Sequence, residues 1–276
     1  MSFQKTHPTL PYVLAFTGPL LYFVFLSHAE LVWLAGTLVA LFLFDSLGVQ
    51  VGVHKLLSHR AFKTHRWIRT SLAFLSLFSG QGSPIFWVAV HMGSHHPHAD
   101  SERDVHGPHH GRIFAFLTWY WKVDAKKISF LPVREYLSDR KLIFFHKHHY
   151  LMLLAYWGAL LVIGFATPAG LKPLVYLGLL PVALSLTLVG LVNTFLHSSD
   201  PITDRLLLKY KNHSSQESSN SVILGLLTMG LGLHNNHHHA PQAVTYGERW
   251  FEVDPSRWII AMLATDADPR PRQRRH

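Results

Sequence analysis

The chain has 276 residues, of which 49% are hydrophobic and 15% charged, with 25 Lys and Arg against 16 Asp and Glu and no cysteine. The missing cysteines exclude a disulfide framework, thiolate-bound metal clusters and a covalently attached c-type haem. The net charge of +9 is high enough to suit nucleic acid, so what it means depends on where the charges lie.

In chain order, residues 10–27 (LPYVLAFTGPLLYFVFLS) contain no charge, and residues 31–53 contain only Asp45. Each run has the roughly 17 to 25 residues that a helix needs to cross a bilayer core. The first reads as a retained helix and not as a cleaved leader, because it is long, has no basic head beyond Lys5 and leads straight into a second span. Residues 70–90 (TSLAFLSLFSGQGSPIFWVAV) are long enough to cross, but GQGSP interrupts them. Residues 150–170 and 173–196 are again free of charge, with Lys172 between them.

Charge counting places the interrupted segment. Of the Lys and Arg, 14 lie between residues 54 and 148 and 9 lie after residue 197. If residues 70–90 do not cross, all of these fall on one side, and the positive-inside rule makes that side the cytoplasm. The reading is an all-α integral membrane protein with a single domain over residues 1–276. Four transmembrane helices anchor a cytoplasmic helical cap made of residues 54–149 and 197–276, the broken segment lies embedded or interfacial, and both termini are cytoplasmic. Basic loops beside anionic headgroups then account for the charge without nucleic acid.

The 22 histidines gather at that face. His54 and His59 follow the second span, His91, His95 and His96 follow the broken segment, His197 ends the fourth span, and His234, His237 and His238 lie in HNNHHHAP. Residues three or four apart share a helical face. That rule covers His91 with His95, Asn193 with His197, and His234 with His237 and His238. His54 and His59 are five apart and need a helix end or a slight unwinding to aim at one point. Nine imidazoles exceed one coordination sphere, so two metals are expected. H-E-x-x-H and E-x-x-H spacings are both absent, which leaves histidine-bound iron that activates dioxygen beside an apolar substrate as the expected chemistry.

HKLLSHRAFKTH, SGQGSPIFWVAVHMGSHHPHADSERDVHGP, NTFLH, HNNHHHAP and RWFEVDPSRW together resemble the membrane fatty acid desaturases, in particular the stearoyl-CoA delta-9 type, over residues 45–260. The resemblance implies a di-iron centre held by His54, His59, His91, His95, His96, His197, His234, His237 and His238, with Asn193 reaching an iron through water. It implies O2-dependent insertion of a cis double bond into a long-chain fatty acyl substrate at delta-9. Hydroxylation, acetylenic bond formation and oxidative decarboxylation on the same scaffold are alternatives, and a non-enzymatic membrane metal carrier is a remote one. Gln81, Trp87 and Trp67 are the expected substrate-lining groups, and Asp100 and Asp104 the carboxylates that orient the ligating rings from behind. Electrons are expected from an external ferredoxin, rubredoxin or cytochrome-type protein, because the chain carries no redox group of its own. The expected location is the cell membrane, with membrane lipid as a partner.

The chain also departs from the family pattern. The second histidine box reads H-x3-H-H where the family has H-x2-H-H, so one residue is inserted between His91 and His95 and His91 becomes the least secure ligand. Leu231 and Leu233 stand where relatives carry a glutamate and an aromatic, and His239 has no counterpart. His109 and His110 replace an arginine pair suited to a phosphorylated carrier, which leaves acyl-CoA, acyl carrier protein and lipid-linked substrates open. His146, His148 and His149 are expected to pack or face solvent. His98, His106 and His213 are expected behind the ligands or at the surface, and His7, His28, His65 and His276 are scattered. Asp45, a carboxylate at membrane depth, is expected to pair with a neighbouring helix.

Overall fold

A computed structural model describes residues 9–25 and 30–265. Lys5, His7, His28, His276 and the last two residues of the predicted 10–27 span lie outside the described residues. The described chain is helical throughout its regular structure. It has two isolated antiparallel bridges, Tyr210 with Asn220 and Asn220 with Leu233, and no strand.

Three helices are long and apolar enough to cross a membrane: α2 (Leu31–Ser58), α5 (Arg140–Ala166) and α6 (Pro173–Phe195). α1 (Thr9–Phe25) is apolar and has 17 described residues. Three of the predicted spans therefore lie in helices long enough to cross and the described part of the first is helical, and two of the long helices run on further than their apolar cores. α2 continues through His54, and α5 begins ten residues early, at Arg140, where the Asp139 side chain caps the N–H groups of Lys141 and Leu142. That extension takes in His146, His148 and His149, and draws residues 140–149 out of the predicted loop.

α6 is the centre of the bundle. Two-thirds of its apolar window is buried (67%), against 39% for α2 and 28% for α5, and α1, α2 and α5 all pack on it. Thr37 Oγ1 of α2 donates to the Tyr176 carbonyl of α6 at 2.7 Å, and Glu30 pairs with Lys172 at 2.8 Å beyond the two N-termini. α2 and α6 therefore run in the same direction, and their C-terminal ends, which carry His54, His59 and His197, emerge together. The outer faces carry exposed Leu38, Val39, Leu151, Val162 and Phe165. Exposed apolar side chains on helices of this length fit association with a membrane.

The interrupted segment folds as two short helices, neither long enough to cross: α3 (Arg66–Leu75) and α4 (Pro84–Val90). Between them Gly80 and Gly82 adopt φ of +80° and +90°, values that L side chains rarely take. A Cβ on Gly80 would also lie 2.5 Å from Val182 Cγ1 of α6. Ser83 then caps α4 by accepting from the Phe86 N–H, with Pro84 at its first turn. α4 runs on through His91–His95 and His96–His98. Beyond short helical turns such as Phe114–Thr118, Trp119–Lys122 and Leu131–Ser138, the shorter helices include α7 (Pro201–Leu206), α8 (Val222–Leu227), α9 (His234–His239) and α10 (Ser256–Leu263).

Candidate metal centre

Four elements deliver nine imidazoles to one spot. His54 lies on the last turns of α2 and His59 just beyond it. His91, His95 and His96 follow α4, His197 follows α6, and His234, His237 and His238 lie on α9. The rings form two cages. In one, Nε2 of His59 is 2.8 Å from Nε2 of His91, which is 3.1 Å from that of His96; His96 is 3.1 Å from His237, and His237 is 3.3 Å from His54. In the other, Nε2 of His197 and of His238 lie 2.8 and 3.1 Å from Nε2 of His234, and His95 completes the group.

Local winding makes the two awkward spacings work. Phe42–Ser58 is wound as a π-helix, and the His59 N–H donates to the His54 carbonyl at 3.1 Å. The unwinding that a five-residue spacing demands is thus built into α2. The second box is treated the same way. His91–His95 forms a π turn in which the His96 N–H bonds the His91 carbonyl. A π turn holds one residue more than an α turn, so the three residues between His91 and His95 are accommodated locally and the ring of His91 reaches those of His59 and His96.

Partners behind the rings differ between the cages. Asp104 Oδ2 sits 2.8 Å from His95 Nδ1, Asp100 Oδ1 sits 2.7 Å from His197 Nδ1, and the Leu231 carbonyl sits 3.2 Å from His234 Nδ1. Each partner draws the N–H to Nδ1 and leaves the Nε2 lone pair facing inward. Asp100 reaches His197 from a left-handed φ of +63°. In the first cage, Nδ1 of His54, His59 and His237 is buried with no hydrogen-bond partner.

The donor set suits cations. Burial first, and then the neighbouring rings, push the imidazoles of His91, His237 and His238 well below their ordinary pKa, and burial with Lys55 and His95 nearby lowers His59 to about 3. Burial also raises the Asp104 carboxyl, but His106 and His95 beside it pull it down further, so it stays charged. The rings of His59, His91, His237 and His238 are therefore neutral, the form that binds metal. Each Nε2 carries either one hydrogen or one lone pair, so the rings of His91, His96, His237 and His234, whose Nε2 atoms each face two others, can satisfy only one of those contacts with their own protons. A shared cation in each cage resolves the conflict.

A cavity opens beside the cages, walled by Phe86, Val90, Val189 and Leu231 and touched by His91, His95, His234 and Asn193. Gln81 and Trp87 are among its lining residues. Trp67 is not: it is 68% exposed on α3. The inward face of that helix is made by Leu72 and Ala73, so the indole points away from the site as a surface aromatic. Leu231 gives the cavity part of its apolar wall.

The other histidines sort by burial. His106, expected behind the ligands or at the surface, is buried, lines the cavity and lies against His95 with the rings tilted and 4.6 Å between centroids. It forms a third group with His95 and Asp104. The only sequence signal for it was its two-residue spacing from Asp104. His239 is exposed and lies flat on His213, 3.6 Å between ring centroids, with His213 held by Glu248. His146 is buried against Ser83 Oγ at 2.6 Å and His149 against the His146 carbonyl at 2.9 Å; both pack. His98 and His148 are half-buried, and His65, His109 and His110 are exposed. Asp45 accepts from Ser185 of α6 at 2.7 Å, so it does pair with a neighbouring helix.

The α9 box is held by a polar lattice that its own residues supply. Asn235 Oδ1 accepts from the N–H groups of Asn212 and His213, and Asn236 Nδ2 donates to Glu252 and to the Tyr246 carbonyl. The NN of HNNHHH is thus the anchor of the three inward rings.

Fold and site define an all-helical, membrane-associated protein with a histidine-rich centre that could hold metal. The model of the fatty acid desaturase family matches residues 10–252. The chain is similar to the delta-9 acyl-lipid desaturase 2 of Arabidopsis thaliana, 30% identical with 83% of this chain and 73% of that protein covered. It is also similar to the sn-2 palmitoyl-lipid 9-desaturase of Nostoc sp. (strain 36), at 29% identity over 83% and 78%. The delta-9 desaturase-like 4 protein of Arabidopsis thaliana is 29% identical over 83% and 74%. The chain belongs to the fatty acid desaturase family.

Proposed function

We propose that this chain is an O2-dependent di-iron desaturase that introduces a cis double bond at delta-9 of a long acyl chain carried on a membrane lipid. The observation that carries this reading is the pair of imidazole cages opening onto an apolar cavity. His54, His59, His91, His96 and His237 would hold one iron, and His95, His197, His234 and His238 the other, with Asn193 near the second. Two irons bound there would supply, with O2, an oxidant strong enough to take hydrogen from unactivated methylenes.

The chain's own residues supply orientation and dryness. Asp104 and Asp100 fix the tautomers of His95 and His197, and the cavity's hydrocarbon walls keep water from the reacting methylenes. Overall, the acyl chain loses two hydrogens and O2 becomes two waters, with two further electrons and two protons from outside. An external ferredoxin, rubredoxin or cytochrome-type donor docking on the basic face supplies the electrons. A lipid carrier fits the exposed His109 and His110, whose imidazoles pair with phosphate less well than a guanidinium fork does, and it fits the names of the acyl-lipid relatives. Four spans, counting α1, with the histidine face and both termini in the cytoplasm, complete the reading.

The test has two readings. Purified protein is analysed for iron, with about two per chain expected. Cells without their own desaturase express the chain, and their lipids are analysed for unsaturation, double-bond position and carrier class. Saturated lipids from an iron-loaded chain supplied with a reductant would sink the proposal.

A further inference from the structure

Asp45 is a carboxylate within a membrane helix, 2% exposed, with no Lys, Arg or His paired to it among the described residues. Such a group is costly at membrane depth, and none of the iron cages touches it. Its oxygens are instead used by neutral donors. Gln81 Nε2 donates to Oδ1 at 2.8 Å and Ser185 Oγ donates to the same atom at 2.7 Å, with Gln81 Nε2 also 2.9 Å from Ser185 Oγ. Gln50, one π turn along α2, faces the same carboxylate.

Gln81 has a second neighbour. Its Oε1 accepts from Trp87 Nε1 at 2.9 Å. An indole N–H can only donate, and an ionised carboxylate can only accept. An amide bridging the two has one permitted orientation, nitrogen towards Asp45 and oxygen towards Trp87. Ser185 alone could not impose this, because a hydroxyl both donates and accepts. The indole so held lies over the ring of His91, 4.6 Å between centroids, and 5.5 Å from that of His54. Gln81, Trp87 and His91 all face the cavity.

We infer that Asp45 is a positioning residue for regioselectivity: through the Gln81 amide it locks the Trp87 indole that forms the cavity wall beside the histidine cages, and so sets which methylenes of the acyl chain are presented. This rests on the desaturase reading above. Asp45 touches neither substrate nor metal. Its effect is on where the double bond falls, more than on whether the cages form.

The test compares wild type with Asp45→Leu and Asp45→Asn in cells lacking a desaturase, reading protein level, iron content and the ratio of double-bond positions by mass spectrometry. Asp45→Leu removes the acceptor, frees Gln81, and is expected to raise the minor positional isomers about tenfold relative to the main one, with iron content at the wild-type level. Asp45→Asn keeps an acceptor oxygen, and its new amide N–H can bond Gln50 Oε1, a buried oxygen now without a partner; it is expected to restore the ratio to within about twofold. A wild-type positional ratio in Asp45→Leu overturns the inference, as does a fall in yield with the ratio unchanged. If Asp45→Leu does not accumulate, Asp45→Ser decides in its place, because its shorter polar side chain gives up the Gln81 contact: a shift in the same direction supports the inference and an unchanged ratio overturns it. Failure of the desaturase reading looks different, because wild type itself then yields no unsaturated lipid.

Discussion

Removing one ring from the cages tests them at the scale of the residue. His237 faces both His54 and His96, so His237→Ala is expected to drop iron from about two towards one per chain and to abolish desaturation, read by metal analysis and lipid profiling. Asp104→Asn keeps the size of the side chain but loses the charge that fixes His95, and is expected to cost about 10- to 100-fold in iron affinity or turnover. Trp67→Ala, on an exposed ring outside the cavity, is expected to leave double-bond position unchanged. At this scale the sequence was legible wherever the spacing matched a helical face, as at His234, His237 and His238. It was misleading at Trp67, because an aromatic close to a histidine box in the chain can stand on the far side of a short helix.

At the scale of elements, the decisive feature is the contact between α2 and α3. A Cβ on Gly48 would lie 2.5 Å from the Ser76 N and 2.8 Å from the Ser76 Cα, and one on Gly52 would lie 2.7 Å from Leu72 Cβ. The backbone of the interrupted segment can therefore press directly against α2, which carries His54 towards the rings of α4. Gly48→Val is expected to push the two apart at a cost of about 1 to 3 kcal/mol, seen as a lower melting temperature and as partial loss of iron. The break between α3 and α4 was legible from GQGSP, since glycine and proline punctuate helices. The π turns were not: the same residues could wind as α or π, and the choice depends on where the tertiary contacts need the rings.

The whole molecule is closed by a buried ion pair between distant parts of the chain. Lys55 Nζ bonds Asp254 Oδ2 at 2.7 Å and the Val244 carbonyl at 2.8 Å, and sits 4.0 Å over the Tyr246 ring. Both charges are almost fully buried, so Lys55→Met leaves Asp254 uncompensated and is expected to cost about 3 to 5 kcal/mol, measured as a fall in melting temperature. Acid acts on the same assembly. Burial lowers His59 to about 3 and His106 to about 4, below their ordinary 6.5. As pH falls from 6.5 towards 4, the unfolded chain takes up protons that the folded chain does not. The stability of metal-free protein is thus expected to be full above pH 6.5 and to fall through that window, which melting at a series of pH values would show.

By itself the sequence determined the helical membrane class, the break at GQGSP, and the set of imidazoles that could share one site. These depend on local quantities: the length of an apolar run, the φ that glycine permits, the period of a helix. Only the tertiary structure decided how the nine rings divide into two cages, that His91 stays with them, that His106 lies inside, and that Asp45 reaches Trp87 through Gln81. Each of these depends on atoms that distant segments bring within hydrogen-bond reach. In a bundle whose apolar surfaces pack without directional preference, it is these few polar contacts that select the register.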